Sequence, residues 1–555
     1  MKSFKRITAF LMACAMLGVG NTLSYSGDNV WAVDSEDVKA VDNGDDEVYS
    51  GKCGENVYWK LSDGVLEIYG TGDMSNFYYS NAPWNVHRKI IYEVIIHEGV
   101  TSIGDSAFYK CTSLASVTIP NSVSSIGSTA FCECTSLTSI TIPDSVSSIG
   151  STAFCECTSL TSITIPDSVS SIGFNAFNGC TSLTNITIPD SVSSIGDSAF
   201  IGTPWLEEQR KKSPFVIINN ILVDAKACEG DVIIPDGVSL IGDSAFLGCD
   251  SLTSVTIPDG VSYIGYSAFN DCTSLKNITI PNSVASIESY AFCECTSLTS
   301  IAIPDSVSSI GAGAFWGCTS LTSITIPDSV SLIGGSAFYD TPWLEEQRKK
   351  SPFVIINNIL VDAYTCEGNV IIPNNVSLIG ADAFAGCDSL TSVTIPDSVS
   401  SIGDSAFCSC NSLTSITIPD SVSSIGNYTF YLCESLANIT IPDSISSIRD
   451  SAFSGCSHLE NVYYSGTQKQ WNKICIGYEN SPLTSATIHC EPESAYGDVN
   501  GDGVVTAIDM SELILILTGK KTEYDKDSAD TDSDSLITIS DLVKLRMYIL
   551  EQSIA

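Results

Sequence analysis

The sequence predicts a repeat solenoid followed by a separate small helical module, on three observations. An Ile-Pro step returns at Pro120, Pro143, Pro166, Pro189, Pro235, Pro258, Pro281, Pro304, Pro327, Pro373, Pro396, Pro419 and Pro442, always 23 residues apart except for two gaps of 46. A fixed period of this size marks a stack of equivalent coils. Within one copy the apolar residues Leu137, Ile140, Ile142, Val146, Ile149, Ala153, Phe154 and Cys157 are spread along the whole unit. No single unit can bury them, but a stack can. Residues 497–551 abandon the period and carry two acidic loops, each followed by an apolar helical pattern.

Each repeat element follows from its residues. Ser139-Ile140-Thr141-Ile142 alternates polar and apolar with β-branched side chains, as a strand with one buried face does. Pro143 and Asp144 end the strand and open a turn. The remainder, through Ala153 and Phe154, is expected to be irregular or a short helix on the other side. The full pattern, L-x-x-I-x-I-P-x-x-V-x-x-I-x-x-x-A-F-x-x-C-x-x-L, resembles the BspA-like bacterial leucine-rich repeats over residues 94–465. That resemblance implies a leucine-rich-repeat right-handed solenoid with a parallel sheet on its concave face.

Composition narrows the function classes. The chain of 555 residues is long for one ordinary core, but a solenoid's core grows lengthwise. A net charge of −39 argues against nucleic acid and against anionic membrane surfaces. Lys and Arg are scarce in the repeats, so no basic stripe hides in the average. Residues 1–32 read as a signal peptide: Lys2, Lys5 and Arg6 precede an apolar run from Ile7 to Val19, and Val30-Trp31-Ala32 offers small residues for cleavage. The run is short for a membrane span, and no other stretch could cross one. Leu11-Met12-Ala13-Cys14 faintly resembles a lipoprotein processing site. The apolar run continues past Cys14 and Met12 fits poorly, so secretion without an anchor is the reading kept.

Of 22 cysteines, twelve hold the repeat position: Cys111, Cys134, Cys157, Cys180, Cys249, Cys272, Cys295, Cys318, Cys387, Cys410, Cys433 and Cys456. One per coil, they suit small buried apolar groups. A second set, Cys132, Cys155, Cys293 and Cys408, sits two residues earlier and is expected to point outward. Stacked strands lie about 5 Å apart, so a Cys132–Cys155 disulfide is sterically allowed. The C-x-C pairs lack the C-x2-C spacing of a zinc site and have no His nearby, so no metal is assigned there.

Residues 33–52 are acidic and poor in core formers, which predicts a flexible leader. Residues 53–93 form an N-terminal β cap in which Val57–Leu61 and Val65–Ile68 flank Asp63-Gly64, a hairpin signal. The aromatics Phe77, Tyr78, Tyr79, Trp84 and Tyr92 then either cover the open end of the stack or offer rings to a sugar. His97 takes the proline position of the first coil. Variant coils near 203–234 and 341–372 share one motif at an offset of 138 residues, six units. It reads as a helix after Pro204 ended by Pro214, then two short strands about Asn219-Asn220. Arg210-Lys211-Lys212 and Arg348-Lys349-Lys350 are the repeats' only basic runs, either docking points or solvated helix ends. Residues 466–491 resemble the aromatic closing segment of the same repeat family, and 492–496 form a linker.

The module at 497–551 carries the strongest chemistry. Asp498, Asn500, Asp502, Val504, Thr506 and Asp509 occupy loop positions 1, 3, 5, 7, 9 and 12, with Gly503 at the bend. Thirty-two residues on, Asp530, Asp532, Asp534, Leu536, Thr538 and Asp541 repeat the design. Side-chain oxygens at this spacing, with position 7 lending a backbone carbonyl, suit Ca²⁺, here two ions. The acidic loops should need a cation to order. The pair resembles a type I dockerin, a small all-α calcium-binding domain that attaches proteins to a cohesin domain of a scaffoldin in cellulosome-type assemblies. Asp at position 12 is the dockerin habit. The resemblance assigns Ala507, Ile508, Ile539 and Ser540 to the cohesin contact, with Lys544 and Arg546 on the helix behind. Ser535 replaces the expected Gly, and the first helix has no Lys or Arg near its start, so the halves are unequal.

Catalysis finds no support in the residues. The four histidines, His87, His97, His458 and His489, belong to no triad or metalloprotease motif. The aspartates after proline, Asp144, Asp167 and Asp190, recur down the stack and cannot be a unique acid–base pair. The outward strand column is the better candidate surface: Thr118, Thr141, Thr164, Thr187, Thr256, Thr279, Ala302, Thr325, Thr394, Thr417 and Thr440. Its hydroxyl ladder suits repeated weak contacts to an extended ligand, and Thr is equally a good exposed strand residue. The reading is a secreted, non-catalytic binding or adhesion protein with an extracellular protein or polysaccharide ligand, tethered through its dockerin. The alternatives are an enzyme or accessory role in polysaccharide catabolism, and a spacer of roughly 80 Å at strand spacing.

Overall fold

The structure, a computed structural model, describes residues 38–39, 48–78, 81–491, 497–500, 505–521, 524, 526–531 and 536–552. The signal peptide, nearly all of the acidic leader and the linker 492–496 lie outside them. The chain divides into two compact units, Met1–Ser351 and Pro352–Ala555. Each contains a parallel β-solenoid.

In the first unit the strand column of the repeats pairs in register, as in Ser162–Thr164 on Asn185–Thr187 with Ile163 opposite Ile186. In the second, Leu390–Thr394, Ser415–Thr417, Asn438–Ile441, Asn461–Thr467 and Thr487–Glu491 follow Gly368–Ile371 in one six-stranded parallel sheet. Ile163, Ile186, Ile416 and Ile439 are buried and Thr164, Thr187, Thr394 and Thr417 exposed, because a strand alternates its faces.

The other side of each coil takes the irregular of the two expected forms, with an added ladder. It contains no helix in an ordinary repeat. Two-residue strands such as Ser148–Ile149 and Ser171–Ile172 form a second parallel ladder, and turns fill the rest. Those turns are also tied coil to coil: Phe131 N donates to Ala153 O and Phe154 N to Ala176 O, both at 2.8 Å. Ser145, Ser168 and Ser191 add hydroxyl bonds to the carbonyls of Val123, Val146 and Val169 in the preceding coil. A helix would spend its amides internally; here the neighbouring coil takes them.

The interior is a ladder of rings. Phe108, Phe131, Phe154, Phe177 and Phe200 stack with centroids 5.2–5.9 Å apart in the first unit, and Phe384, Phe407, Phe430 and Phe453 do so in the second. This spacing suits stacked rings. Beside them the repeat cysteines are buried and act as donors. Cys157 Sγ reaches Phe131 O at 3.1 Å and Cys180 Sγ reaches Phe154 O at 3.0 Å.

The second cysteine set does not point outward. Cys132, Cys293 and Cys408 are buried and Cys155 is half-buried. These residues lie in the turns between strands, where the intervening Glu133, Glu156, Glu294 and Ser409 take left-handed backbone, φ 56–60°, and the cysteines on both sides of that kink end up inside. All four thiols are free.

At the N-terminal side, Val57–Ser62 and Val65–Gly70 form an antiparallel hairpin, with Asp63 and Gly64 at φ 51° and 75°, the positive pair a tight primed turn requires. The stretch read as a flexible leader to residue 52 ends earlier. Tyr49–Lys52 is a strand on the hairpin, held where Tyr49 lies 4.0 Å from the His87 ring. Trp84 is core, against Trp59, Phe77 and Phe108, while Tyr58, Tyr69, Tyr78 and Tyr92 are exposed.

In the first variant coil, helix Pro204–Lys212 starts on the Thr203 cap, and the hairpin Val216–Ile218/Ile221–Asp224 turns on Asn219 and Asn220, both at positive φ. Arg210 Nε and one of its terminal nitrogens clamp buried Asp224, the first at 2.9 Å, and Lys211 pairs with Glu208. Much of the basic run is thereby neutralised locally. The second copy repeats the helix at Pro342–Lys350 in the first unit and the hairpin at Val354–Ile356/Ile359–Asp362 in the second.

Truncating a rung of the ring ladder should therefore cost more than truncating the hydroxyl face. Phe154→Ala is expected to destabilise its solenoid by about 3–5 kcal/mol, and Thr164→Ala by no more than about 0.5 kcal/mol. Urea unfolding followed by circular dichroism measures both.

Candidate functional site

The tail module builds its own core from Val499, Leu513, Ile516, Ala529 and Leu545. Helices Ala507–Leu517 and Ile539–Gln552 frame it. Each helix begins where an acidic loop ends, and the position-12 aspartate closes both. Asp509 is fully buried, and its carboxylate accepts from Asn500 N at 3.1 Å and Thr506 N at 2.7 Å. Thr506 in turn caps the helix through Ile508 N at 3.2 Å, completing a capping box. The second half repeats the device: Asp541 is fully buried, accepts from Thr538 N at 2.7 Å, and Thr538 Oγ1 accepts from Ser540 N at 3.1 Å. Thr531 Oγ1 also donates to Asp541 O at 2.6 Å.

Asp498 and Asp530, the first positions of the loops, are buried too. Asp502, Val504, Asp532 and Asp534 lie outside the described residues, and Leu536 is exposed. Among the described residues no three His, Cys, Asp or Glu side chains gather as a metal cluster. The donors present still fit a hard cation. Four buried carboxylates in one small module, without thiol or imidazole among them, are a donor set that Ca²⁺ takes and softer metals do not prefer. Burying that much negative charge is costly unless it is compensated.

Every residue assigned to the cohesin contact is on the surface: Ala507, Ile508, Ile539, Ser540, Lys544 and Arg546. Ile539 is 72% exposed. Val543, Met547 and Leu550 are exposed with it, giving an apolar stripe along the second helix. Sequence reasoning passed over these three, although their spacing from Ile539 follows the helical repeat. A shallow apolar cleft lies between the helices, lined by Ile514, Leu517, Thr518, Ile539 and Leu542 among others.

On the repeats, Thr141, Thr164, Thr187, Thr256, Thr279 and Thr325 are exposed in the first unit, and Thr394 and Thr417 in the second. Register sets Thr164 beside Thr187, Thr256 beside Thr279 and Ala302 beside Thr325. In the second unit the column continues from Thr417 and Thr440 to Tyr463 and then His489, whose rings stack at 4.9 Å. The variant coils place exposed isoleucines in the same column, Ile233 beside Thr256 and Ile371 beside Thr394. These were readable as Ile before Ile-Pro where other copies have Thr.

Comparison with known proteins finds two families. The model of the BspA type leucine rich repeat region matches residues 88–221, 226–346 and 363–483. That of the dockerin type I domain matches residues 496–550. No curated protein gives a significant match. Among solved structures, a leucine-rich repeat protein from Bacteroides ovatus is 27% identical, covering 79% of this chain and 100% of its own, with a TM-score of 0.28. A leucine rich cell surface protein from Faecalibacterium prausnitzii is 26% identical over 79% and 99% of the two chains, TM-score 0.24. A leucine-rich repeat protein from Eubacterium ventriosum is 20% identical over 75% and 84%, TM-score 0.23.

Asp509→Ala removes both the acceptor for two loop amides and a candidate ligand. The expected outcome is a loss of calcium affinity of at least tenfold, about 1.4 kcal/mol, and a smaller gain in helicity on adding Ca²⁺. Calorimetric titration and circular dichroism of the full chain check it.

Proposed function

The chain belongs to the BspA-type leucine-rich repeat family and carries a type I dockerin domain, and from that pairing we propose a secreted, non-catalytic binding protein tethered to a scaffold. The dockerin attaches to a cohesin of a scaffoldin in a calcium-dependent way, and the repeats present the hydroxyl face to an extracellular protein or polysaccharide. Two ions sit in the two loops, held by Asp498, Asn500, Asp502, Val504, Thr506 and Asp509, and by Asp530, Asp532, Asp534, Leu536, Thr538 and Asp541. The observation that carries the tether is the exposed apolar stripe Ile539, Val543, Met547 and Leu550 on the helix that Asp541 caps. Exposed apolar side chains in such a row are costly in water and suit a protein partner.

On this reading the loops act first. Cation binding holds positions 1 and 12 together, which fixes the start of each helix and so the stripe that the cohesin meets. The solenoid needs no such ion, because its backbone bonds and ring ladder are closed within the stack.

The test is binding of the full chain to a panel of type I cohesins by surface plasmon resonance, with Ca²⁺ and with excess chelator. Binding should require Ca²⁺, and the double variant Ile539→Asp/Val543→Asp should weaken it by more than about thirtyfold, the loss of roughly 2 kcal/mol that a central apolar contact supplies. Undiminished binding in chelator contradicts the tether.

A further inference from the structure

Cys132 and Cys155 hold the same position in adjacent coils, one repeat apart. The backbones of the two coils are laddered there. Glu133 N donates to Cys155 O at 2.7 Å, as Lys110 N does to Cys132 O at 2.9 Å. Thr129 and Thr152 share a hydroxyl bond across the same gap at 2.8 Å. The side chains just before the cysteines, Phe131 and Phe154, stack at 5.4 Å with their planes 6° apart. Coils stacked at about 5 Å bring equivalent Cα atoms inside the separations, about 4.4–6.8 Å, over which a disulfide closes without moving the backbone. The Cys132 side chain holds the Cys155 thiol beside it below its ordinary value. Cys132 is 8% exposed and Cys155 more so, which leaves an edge that a reagent can reach.

The stacked repeat-position thiols lack an exposed edge. Cys134 and Cys157 stack in the same two coils but are fully buried, and each donates to a phenylalanine carbonyl. Burial pushes the Cys111 and Cys180 thiols up to about 12, where little reactive thiolate forms. Cys293 and Cys408 occupy the position of Cys132, but the neighbouring coils set Asn270 and Trp316, or Ala385 and Tyr431, opposite them.

We propose that Cys132 and Cys155 are a redox site that closes into an inter-coil disulfide, joining one repeat into a covalent ring. The oxidant is a small or protein-borne disulfide. The Cys155 thiolate, favoured by the Cys132 side chain beside it, attacks one sulfur of that disulfide and expels the other as a thiolate. Cys132 then gives up its proton and attacks Cys155 Sγ, expelling the second thiolate. Two cysteine thiols are oxidised, one external disulfide is reduced, and the two protons end on the leaving sulfurs.

The full chain, reduced and then held in oxidised glutathione, is unfolded in an alkylating reagent, cleaved after Glu133 and Glu156, and mapped by fragmentation mass spectrometry. The expected product is one cross-link, Cys132 to Cys155, with Cys134, Cys157, Cys293 and Cys408 alkylated. Oxidation should also raise the unfolding temperature of the wild type and leave that of Cys155→Ser unchanged. Asn178 and Tyr109 stand at this position in neighbouring coils, so the serine variant is expected to fold. Full alkylation of both cysteines after oxidation, or Cys155 held as a glutathione adduct beside a free Cys132, overturns the proposal.

Discussion

The structure depends on hydrogen bonds that run from coil to coil around the whole circumference of each repeat. A single strand column would tolerate some variation in the length of the connecting turns. Here the turns are laddered as well. In one coil Gly150 N reaches back to Ile126 O at 2.9 Å and Ser147 N to Ser124 O at 2.9 Å, while Phe154 N reaches forward to Ala176 O at 2.8 Å. One inserted residue would break several ladders at once and leave buried amides without acceptors, each costing about 1–3 kcal/mol. That is a physical reason for the fixed period of 23. It also explains why the variant coils keep phase: the first must deliver Ile221 opposite Leu240 and Asp231 opposite Ser254, whatever it does between.

The same constraint shapes the surfaces. Because every coil must repeat, the strand face repeats too, and it presents hydroxyls rather than a pocket with unique chemistry. Apart from Ala302, variation is concentrated in the variant coils and the closing strands, where Ile233, Ile371, Tyr463 and His489 take the Thr column. The tail module works on opposite terms. Its core is a handful of side chains around Leu513 and Leu545, and it buries Asp498, Asp509, Asp530 and Asp541 beside them. A small core with that much buried negative charge is a folding problem that a bound cation relieves. The chain thus joins a solenoid stabilised by repetition to a small module with buried carboxylates in its core.

Much of this was legible in the residues, and the exceptions have causes. Period, strand faces and the Asn219-Asn220 hairpin follow from alternation and turn chemistry, which are local. The second ladder was missed because two residues, as in Ser148–Ile149, are too few to show a period. The direction of Cys132 was misjudged because it lies in a turn kinked at Glu133, a left-handed conformation that composition does not announce for Glu. The leader was drawn too long because Tyr49–Lys52 gains its order by pairing with the neighbouring hairpin strand and from His87, distant in sequence. On the tail, motif positions drew attention to Ile508 and Ile539, while Val543 and Met547, one and two turns further on, carried no motif to flag them.

The central claim is that the turns are as firmly laddered as the strands. Hydrogen–deuterium exchange of the full chain, resolved to the amides of Phe131, Phe154 and Phe177, tests it most directly. The account predicts slow exchange at these turn amides, comparable with the strand amides of Ile163 and Ile186. Rapid exchange at the phenylalanines beside protected strands would contradict it, because the turns would then be surface loops hung on a single sheet.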